Sequence, residues 1–276
     1  MTTLLNPTAD GRLVVPRSRR AISVVAHQLR FDLLSMTRNR QARFFTMAMP
    51  VSFLLLFCAI FGNGLLKSGG ERIHASTYYV ASITTFAIVD VAFMSLVIGL
   101  IEIRENGILR RRQATPQPTW SIVASRALTC IVMSLGTAAV LLLIGRLAFG
   151  AQTPLAALPP LIAAVAVGSV ASCFLGFAVT GFVRSQQSAQ PIAMALAMPL
   201  FFISGVFVPW PFIPHWLQQV AGIFPLRDLT LAIQYPITTH SGSVPWSGGD
   251  LGLVALWGLV GLVVALRSFK WAPQDV

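Results

Sequence analysis

The sequence predicts an all-α membrane protein with six transmembrane helices, and three observations carry that prediction. Apolar residues make up 55% of the 276, and charged residues only 11%, whereas roughly a quarter of the residues in soluble proteins are charged. Six apolar runs approach the roughly 20 residues that a helix needs to cross a bilayer. The arginines and lysines gather on one set of loops, and that asymmetry orients membrane spans.

Residues 1–20 read as a disordered cytoplasmic tail. The chain stays polar to about residue 21, so no cleavable signal peptide is expected and the first span itself directs insertion. In 21–43, Ile22, Val25, Leu29, Leu33 and Met36 recur at helical steps. His27, Arg30 and Arg38 fall largely on other faces. That pattern predicts a basic amphipathic helix lying in the headgroup layer.

The transmembrane domain is placed at 44–270, with spans at about 44–66, 77–101, 121–145, 157–182, 190–209 and 250–267. The last is the shortest fit, completed if Arg267 snorkels to the interface. Residues 209–234 tempt a seventh span. Pro209, Pro211, Pro214 and Pro225 interrupt it, and Arg227 with Asp228 would lie in hydrocarbon. A re-entrant or interfacial helix pair at 210–234 on the outer face fits better, with Trp210 and Trp216 as anchors. Residues 239–249 are a Ser/Gly-rich outer loop, and 271–276 a cytoplasmic tail.

Six spans put both termini on one side. That side holds the N-terminal arm, Arg104 to Arg112, Arg184, Arg267 and Lys270. The other keeps Lys67, Arg72, Arg146 and Arg227. Both termini are therefore expected in the cytoplasm, in a multi-pass protein of the cell inner membrane.

The net charge of +11 is explained by this topology and by anionic lipid, and no nucleic-acid partner is expected. Cys58, Cys130 and Cys173 fall in apolar runs and read as small buried hydrophobes. No His/Cys cluster has metal spacing, so no metal is expected. Asp90 is the one carboxylate well inside a span, and all four histidines lie outside the runs. No catalytic residues and no enzyme are expected. A P-loop needs Gly-Lys before Ser or Thr, but the lysines, Lys67 and Lys270, follow Leu66 and Phe269. This chain binds no cofactor of its own on that reading.

Between the second and third runs stands a polar island, "ENGILRRRQATPQPTW" (105–120). Charged faces and the stops Pro116 and Pro118 predict a short cytoplasmic helix, begun by Glu102, Arg104, Glu105 and Asn106 and suited to docking a soluble partner. "RENGILRRRQATPQPTWSIVASR" (104–126) resembles the segment between the second and third spans of ABC-2 type permeases. There the order is Arg-Glu-x-Gly-x-Leu, basic residues, then Ala-Thr-Pro. "FFISGVFVPWPFIPHWLQQVAGIFPLRDLTLAIQ" (201–234) resembles that family's C-terminal signature at Ser204, Gly205, Pro225, Leu226 and Gln234. Asp228 departs from it, standing where the family usually has His, Tyr, Ser or Arg. The short outer loop at about 67–76 is unlike the subgroup with a large extracytoplasmic domain. The chain is most similar to drug, antibiotic, lipid and glycan exporters of the daunorubicin-resistance permease type.

The resemblance implies half of an exporter for a hydrophobic or amphipathic substrate. A second permease subunit, identical or distinct, would complete the path. ATP and Mg would be held by a separate ATP-binding cassette subunit. The coupling helix would be formed by Arg104, Glu105, Asn106, Gly107, Leu109, Arg110 and Arg111, with Glu105 touching the partner and Gly107 allowing close approach. Membrane lipid surrounds the whole.

Asp90 is either a substrate or proton site or a hydrogen-bonded packing residue. Met194, Met198, Phe201 and Phe202 are candidates for a greasy pathway or for lipid contact. Gly168, Ser172, Gly176 and Thr180 recur every four residues and predict a helix-packing seam. Two other functions compete with the exporter. A secondary transporter would rely on Asp90 for ion coupling, and a membrane scaffold would transport nothing.

Overall fold

Among the described residues, four apolar runs form helices long and apolar enough to cross a membrane, and nearly all of the structure is helical. The computed structural model describes residues 31, 40–61, 64–68, 71–105, 119–151, 154–183, 185–238 and 246–268. The tail at 1–20 and nearly all of the expected interfacial helix at 21–43 lie outside them, as do 271–276.

Helix α1 spans Arg40–Phe61, with Pro50 inside it. It ends earlier than the apolar run at 44–66 suggests, because "GNG" at 62–64 supplies strong helix breakers. The chain continues as an antiparallel hairpin, β1 (Leu65–Ser68) and β2 (Glu71–His74), in register Leu65 opposite His74. This hairpin takes the place of the short loop expected at about 67–76 and begins a few residues sooner.

Helix α2 runs Ala75–Glu105. Its continuity is broken once, by a π turn at Asp90–Met94, where the Ser95 N–H donates to the Asp90 carbonyl five residues back. Helix α3 (Thr119–Phe149) follows and stops at Gly150, whose φ of +63° is a left-handed helix stop. A 3₁₀ turn at Leu155–Ala157 leads into α4 (Leu158–Thr180), with prolines in its first turn where no N–H partner is lost.

Helix α5 (Gln186–Ile203) is shorter than the run at 190–209. Ser204 caps it and Gly205, at φ +79°, turns the chain away. Then come a 3₁₀ turn at Trp210–Phe212, α6 (His215–Ala221), α7 (Pro225–Thr238) and the last helix, α8 (Gly248–Ser268). Two helices thus lie in this stretch: Pro214 is the N-cap of α6, and Pro225 is the first residue of α7, which runs on to Thr238.

An aromatic cluster joins α1, α2 and α5. Phe53 meets Phe86 edge-on at 5.2 Å, Phe57 stacks on Phe207 at 5.7 Å, and Phe86 packs on Phe201 at 4.9 Å. Each such pair adds about 0.5–1.5 kcal/mol beyond area burial.

The four-residue ladder on α4 is a packing seam. Gly168, Ser172, Gly176 and Thr180 are all buried. A Cβ on Gly168 would run into the Leu229 side chain of α7, and one on Gly176 would sit 3.4 Å from the Phe93 carbonyl of α2. The last helix docks onto the same α4. A Cβ on Gly258 would come within 2.9 Å of Ala171 Cα.

The obstacle at Gly258 is backbone, so Gly258→Leu must push α8 away and should destabilise by about 1–3 kcal/mol. Gly252 has no atom within 4 Å of its would-be Cβ, so Gly252→Leu is the control. Unfolding midpoints of the two variants in detergent check this. Equal midpoints would show that the close helix contact contributes nothing.

Candidate functional site

Two clusters of the sequence-predicted residues are brought together, one at each end of α2. The first lies where α2 ends. Arg104 and Glu105 belong to the last turn of α2 itself, not to the start of a separate short helix, because nothing in Ile101–Glu105 breaks the helix. Arg104 is 1% exposed. Its Nη1 donates to the Thr180 carbonyl at 3.2 Å and Nη2 to the Val183 carbonyl at 2.6 Å. Thr180 is the last residue of α4, where helix carbonyls lack intrahelical partners and a cation is favoured, and Val183 lies in the turn that follows.

Glu105 reaches the next helix. Its Oε1 accepts from the Gln186 N–H at 2.6 Å, the first residue of α5. The carboxylate expected to touch a partner is thus engaged within the chain. Asn106, Gly107, Leu109, Arg110 and Arg111 lie outside the described residues.

The second cluster joins the two ends of the C-terminal signature. Ser204 and Gly205 stand at the end of α5, and Gln234 on α7. The Tyr78 hydroxyl donates to the Gly205 carbonyl at 2.6 Å. Ser82 Oγ points at the same carbonyl from 3.4 Å and accepts from Gln234 Nε2 at 2.8 Å. All five residues are buried. Pro225 opens α7, and Leu226 beside it is buried in the core.

Around this cluster the segment between α5 and α7 is braced by polar groups. Gln218 Nε2 donates to the Trp210 and Ile213 carbonyls at 3.2 and 2.8 Å. The Arg227 guanidinium lies over the Trp210 ring at 4.9 Å, a cation–π contact. Asp228 is buried, and that burial pushes its carboxyl up, with Asp250 adding to the rise and Arg227 opposing it.

Sequence reasoning missed Tyr78 and Ser82. Their four-residue spacing puts both on one face of α2, but Ser76, Thr77, Tyr79, Thr84 and Thr85 stand in the same stretch, so the sequence does not single them out. The partner of Glu105 had no sequence signal, since Gln186 is distant in the chain.

The expected pathway residues are dispersed. Phe201 is fully buried in the aromatic cluster, Phe202 is 52% exposed, and Met194 and Met198 are half-buried against the core. Asp90 is half-buried at the first residue of the π turn. π turns inside helices occur often at functional sites. A cavity of about 80 Å³ lies among α2, α4, α5, α7 and α8, lined by Val89, Phe93, Ser172, Leu196, Leu200 and Leu229, among others. Its wall is apolar apart from Ser172.

The chemistry available is holding and orienting helices. Among the described residues no three His, Cys, Asp or Glu side chains gather where a metal ion would sit.

Comparison with known proteins decides the family. A family model described as "ABC-2 type transporter" matches residues 26–235, which contain both clusters. The chain belongs to the ABC-2 type transporter family. It is similar to the probable multidrug ABC transporter permease YbhR of Escherichia coli strain K12, with 25% identity over 195 residues. The E. coli O157:H7 protein of the same name matches equally. The alignment covers 70% of this chain and 50% of either relative. This ABC-2 type chain therefore spans about half the length of the curated relatives it matches. With its family and four long apolar helices, it is a multi-pass protein of the inner membrane.

Proposed function

We propose that the chain is the transmembrane permease of an ATP-driven exporter. It would move a hydrophobic or amphipathic compound outward, such as a drug, antibiotic, lipid or glycan. The observation that carries this reading is the family match over 26–235, which takes in both the "RENGIL" and the "SG…PL…Q" segments in order. The relatives' printed name, a multidrug permease, supports an exporter for apolar compounds. The apolar cavity among α2, α4, α5, α7 and α8 is compatible with such a substrate.

On this reading the chain crosses the membrane six times, with α1 and α5 as the two shorter spans and both termini in the cytoplasm. Helices α6 and α7 would form the outer re-entrant pair. ATP and Mg would be bound by a separate ATP-binding cassette subunit docked on 106–118, and a second permease subunit would complete the path. The sequence supports a separate motor because it contains no P-loop.

Purification from a host carrying the neighbouring genes tests this. A polypeptide with G-x-x-x-x-G-K-[ST] should be recovered with the detergent-solubilised chain. Gly107→Trp combined with Arg110→Glu and Arg111→Glu should weaken that recovery at equal expression. If the contact is buried and charged, the loss is about 2–5 kcal/mol. Undiminished recovery would reduce the island to a topology signal.

A further inference from the structure

We propose that Arg104 and Glu105 are positioning residues that form a two-headed brace, making the turn between α4 and α5 move as one rigid unit with the end of α2. This rests on the exporter reading for its role in transport, and on the geometry alone for the brace.

Consecutive helical residues point about 100° apart, so neighbouring side chains at the end of α2 reach two different elements. Arg104 holds the closing end of α4 through the Thr180 and Val183 carbonyls. Glu105 holds the opening end of α5 through the Gln186 N–H. Each charge meets the helix end of opposite sign, so both contacts gain from the helix dipoles.

The contact at α5 adds to a helix start that already has its own cap. Ser185 and Ser188 form a capping box, in which Ser185 Oγ accepts from the Ser188 N–H and Ser188 Oγ from the Ser185 N–H. The Gln186 N–H, at the first helical position, has no intrahelical acceptor. Glu105 supplies one from another helix, across 81 positions of sequence. Local capping therefore does not account for Glu105; what it adds is a tie between helices.

The turn is gripped from a third side. A Cβ on Gly181 would lie 2.5 Å from Ser268 Oγ and 2.9 Å from the Ser268 carbonyl, at the end of α8. Thr180, Gly181, Val183 and Gln186 are thus each held against α2 or α8.

The test places spin labels at Glu102→Cys and Gln187→Cys, both exposed positions flanking the brace, in a background lacking Cys58, Cys130 and Cys173. The inter-label distance is read by electron paramagnetic resonance in the whole complex, nucleotide-free and trapped with Mg-ATP and vanadate. The expected result is one narrow distance, the same in both states. Glu105→Ala should broaden it, and should speed amide exchange at Gln186 by about tenfold or more through loss of a charged hydrogen bond. Glu105→Gln retains an acceptor oxygen and should restore the narrow distance.

A wild-type distance that changes on trapping would overturn the proposal, as would an unchanged distance and unchanged Gln186 exchange in Glu105→Ala. If no ATPase accompanies the chain, the exporter reading fails. The nucleotide-free comparison of wild type, Glu105→Ala and Glu105→Gln still decides whether the brace exists.

Discussion

Arg104→Leu is expected to lower the stability of the detergent-solubilised protein by about 2–5 kcal/mol, the summed cost of leaving two buried acceptors unmet. The Thr180 and Val183 carbonyls each receive one guanidinium N–H. Leucine removes both donors, fills the site with apolar atoms and leaves the carbonyls facing them. The gain from burying leucine offsets only part of that loss. Arg104→Lys separates charge from geometry. Its single ammonium keeps the favourable sign at the end of α4, but lacks the planar fork that spans two carbonyls, so the loss should fall between wild type and leucine. Glu102→Ala, two residues away and exposed, should change stability by no more than about 0.5 kcal/mol. Unfolding midpoints by size exclusion after heating would rank the four proteins. A leucine variant as stable as wild type would mean that the end of α4 needs no cation.

What the sequence disclosed and what it withheld divide along a physical line. Properties of a single helix were legible. Runs of apolar residues marked α2, α3, α4 and α8, and the four-residue spacing of Gly168, Ser172, Gly176 and Thr180 marked a seam, because both depend only on 3.6-residue periodicity. The ends of elements were less legible. Leu65 and Leu66 look like helix until the preceding "GNG" is weighed, and the chain there turns into β1. Val206, Phe207 and Val208 extend an apolar run, yet Gly205 at φ +79° has already ended α5.

The site was legible by motif and not by partner. Ser204, Gly205 and Gln234 belong to one signature, but the sequence carries nothing that pairs them with Tyr78 and Ser82, more than 120 positions away. Glu105 shows the same limit with a larger consequence. Its place in a charged, proline-stopped segment suggests an outward role, and only the arrival of α5 at the end of α2 turns that carboxylate onto Gln186. Asp90 was singled out for its charge. The π turn that begins at it had no sequence signal, since each of its residues is compatible with an ordinary helix.

Gly205→Val is expected to cost roughly 2–4 kcal/mol, combining about 1–2 for a left-handed backbone with about 1–3 for a disrupted buried hydrogen bond, part of which it retains. A β-branched residue at φ +79° is a steric outlier. A Cβ there would already touch Trp210 Cε3 and the Tyr78 hydroxyl at 3.4 Å, and the two further methyl groups need more space. If the backbone relaxes to negative φ, the Gly205 carbonyl swings off the Tyr78 hydroxyl, whose 2.6 Å bond ties the end of α5 to α2. Asparagine tolerates the left-handed region, so Gly205→Asn should lose less than valine. Tyr78→Phe removes the same bond from the other side. Because both changes break one interaction, the double variant Gly205→Val with Tyr78→Phe should lose less than the sum of the single losses, by about 0.5–3 kcal/mol. The five unfolding midpoints, wild type included and measured in one detergent, check this. Strict additivity would show that the glycine serves only to end α5, and equal losses for valine and asparagine would show that the left-handed conformation is not what the position requires.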